Sequence, residues 1–159
     1  MKKIDPATAP VRHGSRYPAP HDEPCRDRTT TLLGDAAGLT QFGVNLLRLE
    51  PGAWSSQRHW HEKEDELVYV LEGEVVLVTD AGREPLGPGD CAGFRAGDRD
   101  GHHLENASNH PALVLVVGSR NDEDWGEYSD IDMKFLPGRY SGGGGFRRKN
   151  GEDVTDLPE

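Results

Sequence analysis

Between Glu66 and Ser119 the chain is cut into apolar runs too short for ordinary helices, with turn residues between them at close spacing. The stretch "ELVYVLEGEVVLVTDAGREPLGPGD" carries three such runs: Gly73 ends the first, "TDAG" turns between the second and third, and "GPGD" closes the third. Runs of four to eight residues rich in Val, Leu and Tyr between such punctuators read as strands. "CAGF", "HHLENAS" and "ALVLVVGS" supply three more. Upstream, in "GLTQFGVNLLRLEPG", Phe42, Val44 and Leu46 share one parity and Asn45, Leu47 and Leu49 the other. That pattern predicts a strand partly buried on both faces, ended by the turn chemistry of Pro51-Gly52. The 20 glycines and 11 prolines would break a helical bundle, and no convincing amphipathic helix is present. An all-β antiparallel sandwich or barrel is the fold these runs predict.

The 159 residues amount to one domain. Residues 1 to about 30 are polar and interrupted by Pro6, Pro10, Pro18, Pro20 and Pro24, the pattern of a partly extended arm over the domain surface. After Ser119, "RNDEDWGEYSDIDMKF" is acidic and aromatic, and "LPGRYSGGGGFRRKNG" is loop-like. Trp125, Tyr128, Ile131, Met133 and Phe135 give this tail apolar anchors, so it is expected to dock in part. A net charge of −10, with a single short basic run at Arg147-Arg148-Lys149, argues against a nucleic-acid partner. No apolar stretch reaches the ~18 residues of a membrane span. "MKKIDPATAP" lacks the apolar segment of a secretory signal, and the two cysteines, Cys25 and Cys91, make no disulfide framework. A cytoplasmic protein is expected.

The chemistry concentrates in two places. In "RHWHEKEDELVYVLEG", His59 and His61 are two apart. On a strand, such residues point the same way ~7 Å apart, with Trp60 turned to the other face, so two imidazoles can share one ion. Glu62, Glu64, Asp65 and Glu66 compete as the third ligand. Glu66 is preferred because it opens the apolar strand and is held by that strand's pairing; Asp65 is second, and the other acids are expected to face water. "DGHHLEN" supplies the other close histidine pair, His102 and His103, one of which can point inward. Three imidazoles and one carboxylate suit a divalent first-row metal with positions left for water or substrate. His13, His21 and His110 lie in polar or proline-flanked stretches and take no role.

These segments resemble the two signature motifs of the cupin family, small double-stranded β-helix (jelly-roll) barrels. The first motif matches Gly52, the His59-x-His61 pair, Glu66 and Gly73; the second matches Gly89, Gly97, His102 and Asn106. The resemblance implies metal ligation by His59, His61, Glu66 and His102, and its His-x3-Asn spacing chooses His102 over His103. Three departures stand out. One extra residue lies between Gly52 and His59, two lie between Gly97 and His102, and Arg95 stands where the motif places proline. The first two are loop-length changes, and Arg95 reads as a surface residue or a cation near the pocket mouth. The likeness covers roughly residues 39–118, leaving 1–38 as an N-terminal arm and 119–159 as a C-terminal tail.

Cupins include isomerases, dioxygenases, decarboxylases, epimerases and binders, so the motifs do not name the reaction. With no nucleotide-binding loop and no Gly-x-Ser-x-Gly pattern, the expected activity is metal-dependent. It would be isomerase- or lyase-type chemistry on a small, oxygen-rich molecule such as a sugar derivative or hydroxy acid. The alternatives are an iron-dependent dioxygenase and a non-catalytic binding or sensor module. The metal is Zn, Fe, Mn or Ni; catalytic residues stay unassigned, with Glu105, His103 and Tyr69 as possible bases. Strand parity turns His103 and Glu105 away from His102. By family analogy a homodimer is expected, with the N-terminal arm a candidate for strand exchange.

Overall fold

The short apolar runs form antiparallel strands that build two facing sheets. The structure is a computed structural model and describes residues 3–154. One sheet contains β1 (Val11–His13), β2 (Arg28–Leu32), β3 (Phe42–Leu49), β4 (Glu66–Glu72), β7 (Cys91–Phe94) and β9 (Ala112–Ser119), in the order β1-β2-β3-β9-β4-β7. The other contains β5 (Val75–Thr79), β6 (Gly82–Leu86) and β8 (His103–Glu105), in the order β6-β5-β8. A one-turn helix, α1 (Leu33–Ala36), links β2 to β3. This is the jelly-roll arrangement expected from the sequence. Among the described residues, no helix is long and apolar enough to cross a membrane.

Inward positions follow the two-residue period of a strand. Leu47 and Leu49 of β3, Val68 and Val70 of β4, and Ala112 and Val114 of β9 meet Val75, Leu77, Leu86 and Leu104 of the opposite sheet. Each fully buried Val or Leu there contributes about 1.5–3 kcal/mol. Along the same inward rows the chemistry then changes: Asn45 lies two before Leu47, Glu66 two before Val68, and Gly118 two after Val116. The apolar end closes the barrel. The polar end leaves a cavity of about 260 Å³.

The strand β4 breaks register with β9 between Val70 and Glu72, and such a bulge bends a strand as it leaves its sheet. Gly73 then turns the chain into β5 at φ +75°, where a Cβ would lie 2.6 Å from the Pro111 carbonyl oxygen and 2.8 Å from Ala112 Cα. Conformation and space both demand glycine. The outward rows are apolar as well. Leu67 is in register with Val117, itself opposite Val44, and Tyr69 with Leu115, itself opposite Leu46.

The flanking segments are built into the structure. β2 pairs along β3 from Arg28↔Leu49 to Leu32↔Asn45, and β1 pairs with β2, so the N-terminal segment extends the larger sheet within its own chain. The C-terminal segment forms a small sheet of β10 (Gly126–Glu127), β11 (Lys134–Phe135) and β12 (Phe146–Arg147). Tyr128, Met133 and Phe135 are buried beneath it, with Tyr17 of the N-terminal segment and Phe146 packed against them. Cys25 is buried and Cys91 exposed, both as free thiols.

Gly73→Ala is expected to lower unfolding free energy by roughly 2–4 kcal/mol in urea titrations, combining backbone strain with steric overlap. Gly52, at φ +83° with open space around it, provides the control, and Gly52→Ala should lose only about 1 kcal/mol. Equal losses would remove the steric argument at Gly73.

Candidate metal centre

The two histidine-bearing segments meet through their backbones. The His59 N–H donates to the His102 carbonyl at 3.2 Å, and the His102 N–H donates to the His59 carbonyl at 2.9 Å. This isolated antiparallel bridge stands where a regular strand was expected over His59–His61. The physical reason is that neighbouring N–H groups go to the C-terminal segment instead. Trp60 donates to the Glu127 carbonyl at 3.3 Å and Glu62 to that of Trp125 at 2.9 Å. The imidazoles still converge, with His59 Nε2 3.1 Å from His61 Nε2. Trp60 turns away to meet Trp125 edge-on, ring centroids 5.2 Å apart.

Hydrogen bonds fix which nitrogen each ring presents. His59 Nδ1 lies 2.9 Å from the Gln57 carbonyl, which can only accept, so Nδ1 carries the proton and Nε2 keeps its lone pair. His61 Nδ1 donates to Asp124 Oδ2 at 2.7 Å, which likewise frees its Nε2. Two M–N bonds of ~2.1 Å at tetrahedral to octahedral angles put their nitrogens ~3.0–3.4 Å apart, so the 3.1 Å spacing fits one shared ion. Burial foremost, then His61 and His102, pushes the His59 imidazole well below its ordinary range, leaving it neutral and ready to ligate.

Glu66 and His102 complete the cluster. Donor atoms of His59, His61 and Glu66 all lie within 4.8 Å of one another. Burial alone would raise the Glu66 carboxyl, but His102, with His59 and His61, outweighs it and holds the group at about 2. His102 stacks on Phe94 at 3.4 Å between ring centroids, and its Nε2 lies 3.5 Å from Glu66 Oε1. The His102 ring is buried, yet neither of its nitrogens has a hydrogen-bond partner among the described residues. A buried imidazole without partners is costly unless something else binds it. His59, His61 and Glu66 within reach of one point, with the His102 ring beside them and its Nε2 toward Glu66, fit a divalent first-row transition metal.

Other sequence candidates lie elsewhere. Asp65, the second choice for the carboxylate, is exposed and accepts the Ala96 N–H at 2.8 Å. His103 touches the cavity wall, but its nitrogens bind the Ser56 carbonyl at 3.1 Å and Glu105 at 3.0 Å. Glu105 is drawn further outward by Arg83. Tyr69 lies on the outer sheet face and Arg95 is exposed outside the cavity. Neither Tyr69 nor Glu105 lines the cavity, so neither is placed to act as its base.

Glu64 is a correction. It was expected to face water with the other acids of its run, but it is 6% exposed. Arg139 reaches its Oε2, the Asn121 N–H donates to Oε1 at 2.7 Å, and the Tyr140 hydroxyl donates at 2.9 Å. Arg139 also binds Asp124 at 3.1 Å, and Asp124 in turn holds His61. Asp124, Arg139 and Tyr140 escaped the sequence reading, which saw only an acidic run and a glycine-rich loop.

The comparisons agree with this architecture. A family model described as a cupin domain matches residues 45–118. A sugar phosphate isomerase of the cupin superfamily from Silicibacter pomeroyi is 47% identical, covers 98% of each chain and superposes with a TM-score of 0.92. A protein from Acidithiobacillus ferrooxidans, provisionally assigned the same activity, is 31% identical over 83% of this chain and 80% of its own, at a TM-score of 0.70. The polyketide cyclase RemF from Streptomyces resistomycificus shares the fold at 24% identity over 75% of this chain and 79% of its own, with a TM-score of 0.62. No curated relative matches. The fold is a β-barrel carrying a candidate metal site, and the chain belongs to the cupin superfamily.

His59→Ala and His102→Ala should each lower bound metal sharply, as read by elemental analysis, with the strand signal in circular dichroism retained. His103→Ala should have much less effect, and stoichiometric metal in both ligand variants would refute the assignment. Asp124→Asn should weaken metal binding by about 10- to 100-fold, as expected when the partner orienting a ligating histidine is weakened.

Proposed function

We propose that this protein is a metal-dependent isomerase acting on a phosphorylated sugar. The observation that carries this reading is the 47% identity to the Silicibacter pomeroyi sugar phosphate isomerase over 98% of both chains. Support comes from the donor cluster at the end of a cavity of about 260 Å³, a volume suited to a small polar molecule. His59, His61, Glu66 and His102 would hold the metal, which when bound supplies Lewis acidity toward a carbonyl or hydroxyl pair.

The chain's own side chains do the rest. Asn45 Oδ1 is buried without a hydrogen-bond partner among the described residues and lines the cavity, ready to accept from a sugar hydroxyl. Val68, Leu104, Val116 and Phe135 form apolar wall that keeps water from competing. Moving a proton between adjacent carbons requires a base and an acid. Glu64 and Tyr140 are a carboxylate–hydroxyl pair in the wall outside the donor set, with the hydroxyl 2.9 and 3.1 Å from the two carboxylate oxygens. Burial above all raises the Tyr140 hydroxyl, and Glu64 adds to that, so it keeps its proton at neutral pH and serves as donor.

We also propose that the protein works as a homodimer joined through the outer face of the larger sheet. Leu67, Tyr69 and Leu71 are 44%, 39% and 38% exposed there, beside the apolar rows of β9 and β3. A second copy presents the same flat apolar surface, as a two-fold interface requires.

Metal-loaded protein incubated in D₂O with pentose and hexose monophosphates should incorporate deuterium next to the carbonyl carbon and yield the isomeric sugar. Tyr140→Phe should lower kcat by about 100-fold with bound metal unchanged. Tight sugar phosphate binding without exchange would favour the binding module, and iron with oxygen uptake the dioxygenase. For the dimer, light scattering should give twice the chain mass for the native protein and the chain mass for Leu67→Lys combined with Leu115→Lys. A native monomer would refute it.

A further inference from the structure

Beside the donor cavity lies a second, outer chamber of about 450 Å³, and the two share Arg12, Tyr17, Arg28, Tyr128, Phe135 and Arg139 in their walls. No aspartate or glutamate lines the outer chamber, although the chain carries 28 acidic residues against 18 basic ones. Arg12, Arg16 and Arg28 all face it. Among the described residues none of the three has a carboxylate within ion-pair distance. The acid whose charge reaches Arg12, Asp35, is itself taken up by Arg120.

Three like charges held together without counter-charge are unfavourable, and partial burial, with Arg16 and Arg28 adding to it, lowers the proton affinity of the Arg12 guanidinium. Arg28 is aimed rather than loose: its Nε donates to the Gly14 carbonyl at 2.9 Å and its Nη1 to that of Ser55, leaving Nη2 unengaged among the described residues. An independent observation comes from Ser15, whose hydroxyl is buried in the same wall with no hydrogen-bond partner among the described residues. Across the chamber the glycine run offers bare backbone. Gly142 and Gly145 have open space where a Cβ would stand, and their N–H groups find no partner among the described residues.

We propose that Arg12, Arg16, Arg28 and Ser15, facing the Gly142–Gly145 backbone, form a subsite for a phosphate monoester. It would hold one end of a substrate whose sugar portion reaches the donor cavity. This deepens the isomerase reading and rests on it for the identity of the substrate. Arginine forks match a tetrahedral oxyanion, the hydroxyl adds a donor, and free N–H groups complete such a cradle. Arg139 lines both chambers but stands outside the subsite, since Glu64 and Asp124 already balance it.

The test is calorimetric titration of inorganic phosphate into native protein and into Arg12→Gln combined with Arg16→Gln, at matched metal content and low salt. Both arginines are exposed, so their loss leaves packing intact, and melting curves check this. The double variant should bind phosphate at least roughly tenfold more weakly, since each hydrogen bond to a charged group contributes about 1.5–3 kcal/mol. Arg95→Gln, an exposed arginine elsewhere, should bind like the native protein. Equal affinity in native and double-variant proteins, or no phosphate binding by the native protein, overturns the subsite. Arginine-dependent phosphate binding with no turnover of any sugar phosphate upholds the subsite and removes the isomerase reading. Turnover of a sugar phosphate with no arginine-dependent phosphate binding does the reverse.

Discussion

The reciprocal pair of hydrogen bonds between the His59 and His102 backbones is the constraint on which the rest of the site depends. An antiparallel hydrogen-bonded pair sets its Cα atoms about 5.5 Å apart and sends both side chains to the same side. The two rings are accordingly 5.1 Å apart between centroids, one from the loop before β4 and one from the residue just before β8. Glu66 joins them because it is the first residue of β4, in register with Gly118 and Phe94, where the inward row has turned polar. The donors are thus ordered by main-chain pairing in the protein itself. The entropy of gathering them is met in folding rather than in ligand capture.

What the backbone does for His59, the C-terminal segment does for His61. Asp124 is buried, accepts the His61 Nδ1–H at 2.7 Å and the Lys63 N–H at 2.8 Å, and shares Arg139 with Glu64. Two buried carboxylates and one guanidinium leave a single negative charge, spread over hydrogen bonds from Asn121, Lys63, Tyr140 and His61. Removing one member of such a cluster strands the others, and buried charges left unpaired are costly. The tail is therefore as much part of the site as the barrel, and its docking and the aim of His61 are one property.

Most of the barrel could be read from the sequence because strands and turns are local events. Gly73, Asp80-Ala81 and Pro88-Gly89 mark real chain reversals, and Val68, Val70 and Leu77 keep the parity that alternation implies. The convergence of the candidate donors was legible for a related reason: two histidines one residue apart and a carboxylate opening a strand are spacing patterns. The orienting residues were not. Asp124 lies 63 positions from His61, and Arg139 lies 75 from Glu64, so only the folded chain brings them together. Glu64 shows the limit most clearly. In a run of Glu62, Lys63, Glu64 and Asp65 nothing local separates a solvated acid from a buried one, and the arrival of Arg139 and Tyr140 decides it.

Net charge also misleads about the cavity. A chain at −10 would repel an anionic molecule from most of its surface, yet arginines line both chambers while the acids in their walls are confined to the inner one. At the inner end, Glu66 is anionic beside three imidazoles, and Glu64 and Asp124 share the one guanidinium of Arg139. At the outer end, guanidinium groups stand without acids. In a confined, partly apolar space such a division acts at shorter range and greater strength than the surface charge, which salt screens within about 10 Å. A molecule with an anionic end and a hydroxylated end, bound as proposed, would lie with its anion outside and its oxygens toward the imidazoles. That orientation would be set as much by where the acids are missing as by where the arginines are.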